Sequence, residues 1–162
     1  MYLIHDAVKE SMDKTLKDGY MKPSSITKNV QMYGHETGSK YIYFKLPYGN
    51  DTVGCFYFDD KLLLENVFYL QIGWHGEPVV DKIDGRRLTY DQLKQILKKF
   101  KRKIDYFVKK RKLEGKYANL TNEILLEKNV SLEKYLVAMQ TFGDKKMKKY
   151  VETKYPDVQI MS

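Results

Sequence analysis

Residues 89–115 read TYDQLKQILKKFKRKIDYFVKKRKLEG, and this stretch decides the architecture. Leu93, Ile96, Leu97, Phe100, Ile104, Phe107 and Val108 recur at helical spacing and form one apolar stripe. Thr89 with Gln92 three residues on is a capping-box start, and Gly115 is a stop. A helix with one apolar face must bury it against another layer, and the segments upstream supply one. Lys40–Leu46 (KYIYFKL), Cys55–Leu64 (CFYFDDKLLL) and Val67–Trp74 (VFYLQIGW) are rich in aromatic and β-branched residues and predict strands. Residues 47–51 (PYGND) make a turn between the first two, and Glu65-Asn66 a tight turn between the next two. Val79–Ile83 predicts a fourth strand, closed by Asp84-Gly85.

Further out, Tyr2–His5 predicts a short strand. A helix follows from an N-cap at Asp6 to Lys17, with Val8, Met12 and Leu16 on one face and Gly19 as its stop. Residues 20–39 are loop-like, with Pro23, Gly34 and Gly38. Beyond the long helix, three shorter ones are expected, at about Asn122–Lys128, Leu132–Gln140 behind Ser131, and Lys145–Lys154 behind Asp144. Pro156 stops the last, and Val158–Met161 can add a final strand. The expected class is α+β: a mixed, mostly antiparallel sheet in the N-terminal half, then a long basic amphipathic helix and shorter helices in the C-terminal half. Its length suits a single domain over residues 1–162, sheet-rich over 1–87 and helical over 88–162.

Charge is concentrated in the long helix. Lys94 to Lys116 hold eleven Lys/Arg against Asp105 and Glu114, whereas the rest of the chain carries 18 basic and 19 acidic residues. Two acids in 23 residues are too few for i,i+4 pairs to explain the helix or offset its self-repulsion, which points to an anionic partner. Lys98, Lys99, Lys101, Arg102, Lys103, Lys109, Lys110, Arg111 and Lys112 are the candidate contact residues, with nucleic acid the foremost partner. Only four of the 29 basic residues are Arg, so weak sequence preference is expected: Lys suits backbone phosphate, Arg base edges. An amphipathic membrane-surface helix ranks lower, because the apolar stripe is needed to cover the sheet.

The residue inventory narrows the chemistry. His5, His35 and His75 share no helix-face spacing, and neither HExxH nor CxxC occurs, so no metal is expected. No phosphate-loop or GxGxxG pattern is present. Cys55, the single cysteine, excludes an internal disulfide and suits a reducing compartment. No secretory leader and no membrane span are expected, so the expected location is intracellular. Oligomeric state is open.

A strand ending in His5, a helix ending in Leu16-Lys-Asp-Gly-Tyr20, then Met21-Lys-Pro-Ser-Ser25 and the strand Tyr41-Ile-Tyr-Phe44 resemble the opening of the ADP-ribosyltransferase-like fold. The resemblance covers about residues 2–46. It implies that His5 contacts the ribose of NAD and that Tyr41 or Tyr43 stacks near the nicotinamide. Glu77, in Trp74-His-Gly-Glu-Pro78, is the candidate for the family's catalytic Glu, giving His5, Tyr43 and Glu77 as a catalytic set. Asp6-Ala7 stands where the family has Gly-Thr, and Phe44-Lys45 follows Tyr43 where a Ser is usual, so transfer activity stays open. The alternative is a non-enzymatic nucleic-acid-binding or virion assembly protein acting through the basic helix. The opening residues and the phrase FDDKLLLENVFYL, Phe58 to Leu70, are also similar to short uncharacterised proteins of large DNA viruses.

Overall fold

The computed structural model describes residues 1–23, 41–47, 52–74, 79–113 and 120–161. In chain order the elements are β1 (Tyr2–His5), α1 (Lys9–Asp18), β2 (Tyr20–Met21), β3 (Ile42–Phe44), β4 (Phe56–Asp59), β5 (Val67–Trp74), β6 (Val79–Asp84), α2 (Tyr90–Leu113), β7 (Leu120–Leu126), β8 (Val130–Ser131), α3 (Leu132–Tyr135), β9 (Leu136–Gln140), α4 (Lys145–Lys154) and β10 (Gln159–Met161). Helices and largely antiparallel sheets coexist, which makes the class α+β. The chain divides into two compact units. Met1–Lys22, Phe44–Leu62 and Asn129–Ser162 form the first, and Pro23–Tyr43 with Leu63–Lys128 form the second.

The first unit is built on a sheet of order β1-β4-β9-β10. β4 runs antiparallel to both β1 and β9, and β10 lies parallel to β9. Leu3, Phe56, Phe58 and Met139 are fully buried, as are Leu16 of α1 and Val151 of α4. The two helices are tied at their ends. Tyr155 donates its hydroxyl to the Leu16 carbonyl at 2.7 Å, and the Lys154 ammonium donates to the Leu16 and Lys17 carbonyls at 2.9 and 3.0 Å. A cation there complements the negative end of α1. Gly19 adopts φ +76° at the helix end, the left-handed stop its sequence predicts.

The second unit carries a sheet of order β3-β7-β5-β6, antiparallel at β7–β5 and β5–β6. α2 packs against β5 and β7. Leu93, Leu97, Phe100 and Ile104 of its stripe are buried, while Ile96, Phe107 and Val108 are half-buried along its edge. The capping box closes as well, with Gln92 N–H donating to Thr89 Oγ1 at 3.2 Å and Thr89 N–H donating to Gln92 Oε1 at 2.9 Å. Gly85 is required at the end of β6. A Cβ there would run into the backbone carbonyl of Leu63, and the Gly85 N–H donates to the Asn66 carbonyl at 2.9 Å.

Several elements differ from expectation. The helix expected at Asn122–Lys128 is strand β7, because Ile124 and Leu126 pair with Leu70 and Phe68 and are buried with them. The helix expected over Leu132–Gln140 lasts one turn. The Ser131 hydroxyl accepts from Lys134 N–H at 3.3 Å, and the chain then extends at Leu136 to pair with β4. The Cys55–Leu64 strand stops at Asp59, and Asp60–Glu65 wind into a 3-10 segment. Glu65-Asn66 is therefore no hairpin turn, and β4 and β5 belong to different sheets. Asp6 is not the N-cap of α1: Val8 holds that place, and Asp6 pairs with Lys45 at 3.1 Å. Tyr20-Met21, expected as loop, pair with β8. The turn at 48–51 and the loop over 24–40 lie outside the described residues.

Candidate functional site

Helix α2 presents the candidate anion-binding face. Lys98, Lys99, Arg102, Lys103, Lys109 and Lys110 are exposed and Lys101 is half-buried, while Arg111 and Lys112 continue the helix to its last turn. Opposing charge is sparse. Lys94 pairs with Asp91 at 3.4 Å, and Lys103 reaches Asp81 of β6 at 3.7 Å. Among the described residues, Lys98, Lys99, Lys101, Arg102, Lys109 and Lys110 form no ion pair. At 1.5 Å per residue, the basic run from Lys98 to Lys112 extends roughly 20 Å along one helix.

The Lys103–Asp81 contact also fixes which sheet face α2 covers. Asp81 pairs with Leu70, so the covered face is that of Phe68, Leu70 and Ile124. The opposite face holds Tyr69, Gln71, Glu123 and Lys82, by strand alternation. Tyr41 joins it, its ring edge-on to Tyr69 at 5.5 Å between centroids. Tyr43 is on this face too, its hydroxyl pushed up to about 12 by burial and by the nearby Glu123. Burial pushes the Glu123 carboxyl up to about 7. Gln71, directly opposite Glu123 on the neighbouring strand, is buried. Glu123 is the functional candidate that sequence reasoning missed; it stands just before the apolar run Ile124-Leu125-Leu126, with Glu127 just after it, and neither acid is marked out by the sequence. Further along the sheet, a cleft of about 190 Å³ is lined by Val67, Tyr69, Lys82, Glu127 and Lys128, with the Tyr69 hydroxyl donating to Glu127 at 3.2 Å.

The residues implied for NAD are distributed as follows. Tyr41 and Tyr43 come together with Glu123 in the second unit. His5 belongs to the first unit, at the end of β1, with its ring edge-on to Phe44 at 5.9 Å. Glu77, with His75, lies outside the described residues. Among the described residues, no group of His, Cys, Asp and Glu is arranged to hold a metal ion.

The first unit contains its own cavity, of about 550 Å³, bounded by α1, the start of β4 and the β9–α4 connection. Cys55 lies on its wall, its thiol donating to the Ala7 carbonyl at 3.1 Å and accepting from the Ala7 N–H at 3.3 Å. Burial pushes that thiol up, which leaves it protonated and poorly nucleophilic at neutral pH. At the mouth Lys9 pairs with Asp144 at 2.9 Å. Asp144 also accepts from the Met147 N–H at 3.0 Å as the N-cap of α4, and the Lys9 ammonium with these bonds holds its carboxyl below the usual range.

These features define an α+β protein of two units, one bearing a polybasic helix and the other an open cleft. The chain belongs to a family of unknown function, DUF5846, whose model matches residues 1–111. It is similar to two proteins of Acanthamoeba polyphaga mimivirus. "Uncharacterized protein L54" is 29% identical over 176 aligned positions, covering 99% of this chain and 90% of that protein. "Uncharacterized protein L28" is 32% identical over 91 positions, covering 55% of this chain and 83% of that protein. Similarity to proteins of a large DNA virus agrees with the sequence resemblance. No solved structure matches the chain, so the likeness to the ADP-ribosyltransferase-like opening rests on residues 2–46 alone. No helix among the described residues is long and apolar enough to cross a membrane.

Proposed function

We propose that this protein is a nucleic-acid-binding module that engages backbone phosphates through the exposed face of α2, without base-specific readout. The observation that carries the reading is the set of exposed Lys and Arg side chains from Lys98 to Lys110, most of which form no ion pair with described residues. An uncompensated array of this density repels itself, and phosphates relieve that repulsion while releasing condensed counterions. Leu93, Leu97, Phe100 and Ile104 of the apolar stripe are buried, so the surface that α2 offers a partner is mainly its charged face. NAD binding through His5, Tyr41 and Tyr43 is supported by the sequence resemblance alone.

The test is thermal unfolding with single-stranded DNA, duplex RNA, NAD and ADP-ribose at two salt concentrations. The reading expects stabilisation by both nucleic acids at low salt, lost at high salt, and no shift from NAD or ADP-ribose. Stabilisation by NAD that survives high salt, with none by nucleic acid, would overturn it in favour of the transferase-like pocket.

A further inference from the structure

One side chain of α2 is explained neither by the fold nor by phosphate binding. Tyr106 is 62% exposed, and of the exposed large hydrophobic side chains among the described residues it is the one on this helix. The buried stripe does not need it. At about 100° per residue it falls about 160° from the buried Ile104, on the side turned away from the sheet. A solvated helix face does not call for it either, since tyrosine forms helices less readily than lysine and leaves its ring in water. Its neighbours on that side are cations. Arg102 and Lys103 stand four and three residues before it, Lys109 and Lys110 three and four after it, and all four are exposed. Of these, only Lys103 has an ionic partner among the described residues, Asp81 at 3.7 Å. The ring is also braced. Phe107, half-buried at the edge of the stripe, meets it edge-to-face, with 5.6 Å between centroids and 81° between ring planes.

A planar aromatic face set between cations matches one partner chemistry: an unpaired base with a phosphate on either side. From Arg102 to Lys110 is about 12 Å along the helix axis, with Tyr106 at the midpoint. Stacking of a base on an aromatic ring is indifferent to sequence, because every base has a π-face, and the flanking charges take the backbone. A duplex does not offer this contact, since its bases are held inside the stack. We infer that the basic face of α2 is a binding surface for single-stranded nucleic acid, with one base stacked on Tyr106 and its flanking phosphates held by Arg102, Lys103, Lys109 and Lys110. The contact uses a base face and phosphates but no sugar hydroxyl, so it takes DNA and RNA strands alike. It rests on the phosphate-binding reading of α2 and adds to it a preference for an unpaired strand.

The test titrates the full chain with three labelled probes of equal length: oligothymidylate, an abasic strand with the same phosphates, and duplex DNA. At low salt the native chain is expected to bind oligothymidylate about tenfold more tightly than the abasic strand, the weight of one base stacked on an aromatic ring. Tyr106→Ala should remove that difference. It should weaken oligothymidylate binding about tenfold and change abasic-strand and duplex binding by less than about twofold. Tyr106→Phe keeps the ring and should bind like the native chain, whereas Tyr106→Leu should behave like Tyr106→Ala. Oligouridylate should show the same loss with Tyr106→Ala as oligothymidylate does. The position is exposed, so the unliganded variants should melt with the native chain, and the slope of log K against log salt should not change. Equal native affinity for the base-bearing and abasic strands, or full affinity for oligothymidylate in Tyr106→Leu, would overturn the inference. The phosphate-binding reading would survive that result if changing Lys98, Lys99, Lys109 and Lys110 to Gln still flattened the salt slope. A slope untouched by those four changes would remove the reading itself, and the inference with it.

Discussion

Helices α2 and α4 are both lysine-rich and amphipathic, yet they open differently: α2 on an acid, α4 on lysines. In α2 the first turn holds Asp91 behind the Thr89–Gln92 capping box, and the basic residues run from Lys94 to the last turn. That order suits the macrodipole, so the helix dipole does not add to the mutual repulsion of its lysines. In α4 there is no acid in the first turn, and four of its first five residues are lysines; Asp144 acts as cap and as partner of Lys9, and Lys148 pairs with Glu152 at 3.9 Å. The same residue type is thus compatible with helix formation in one case and works against it in the other. The difference separates the two helices: α2 displays its charge in line with the helix dipole, whereas the first lysines of α4 stand against theirs.

The largest expected effect separates two carboxylates rather than the two helices. Glu123 is pushed up to about 7 by burial, whereas Asp144 is held below the usual range by Lys9. The signs are opposite. Between about pH 4.5 and 7 the folded state holds a proton on Glu123 that the unfolded chain has released, so this group's contribution falls as pH rises through that window. Glu123→Gln should therefore stabilise the protein by on the order of 2 kcal/mol at pH 8 and not at pH 4. Urea unfolding across that range checks it, and an equal gain at both pH values would refute the buried-charge account. Asp144 contributes in the other direction, its stabilisation being present above the ordinary Asp pKa and lost as pH falls through the depressed one.

Next in size is removal of the caps. Asp144→Ala should lower the melting temperature by several degrees at neutral pH, more than Thr89→Ala does, because α2 keeps Asp91 and α4 keeps only lysines. Equal losses would break the comparison. Smallest is the reversal at the helix starts. Lys145→Glu with Lys146→Glu should raise the melting temperature by a few degrees, while Asp91→Lys in α2 lowers it slightly. A fall on reversing the α4 lysines would contradict the dipole account of this helix.

These two helices were also the most legible part of the sequence. α2 has a seven-residue stripe and a complete capping box, and α4 runs from Lys145 to Lys154 behind its Asp144 cap, as its pattern predicts. The strands after α2 were hidden. Leu136-Val-Ala-Met-Gln140 has the composition of a helix, and Ser131 is a true cap, but pairing with β4 overrides propensity after one turn. Leu120–Leu126 interrupts its apolar residues with Thr121, Asn122 and Glu123, which obscures the alternation of a strand buried by α2 on one side. Glu123 was missed for the same reason, since the sequence gives no sign of what surrounds this acid until the register places Gln71 and Tyr43 near it. The cavity was equally out of reach, because Lys9, Cys55 and Thr141 are brought together only by tertiary packing.

The most direct test of the central claim is the slope of log K against log salt for single-stranded DNA, measured for the native chain and for the variant with Lys98, Lys99, Lys109 and Lys110 all changed to Gln. Each phosphate contact on a single strand contributes about 0.7 to the slope. The account predicts a slope shallower by about 3 and binding weakened at least tenfold at low salt, with unfolding by urea unaltered or slightly improved. A slope unchanged by the four substitutions would contradict it, and the basic face of α2 would then be no more than a solvated surface.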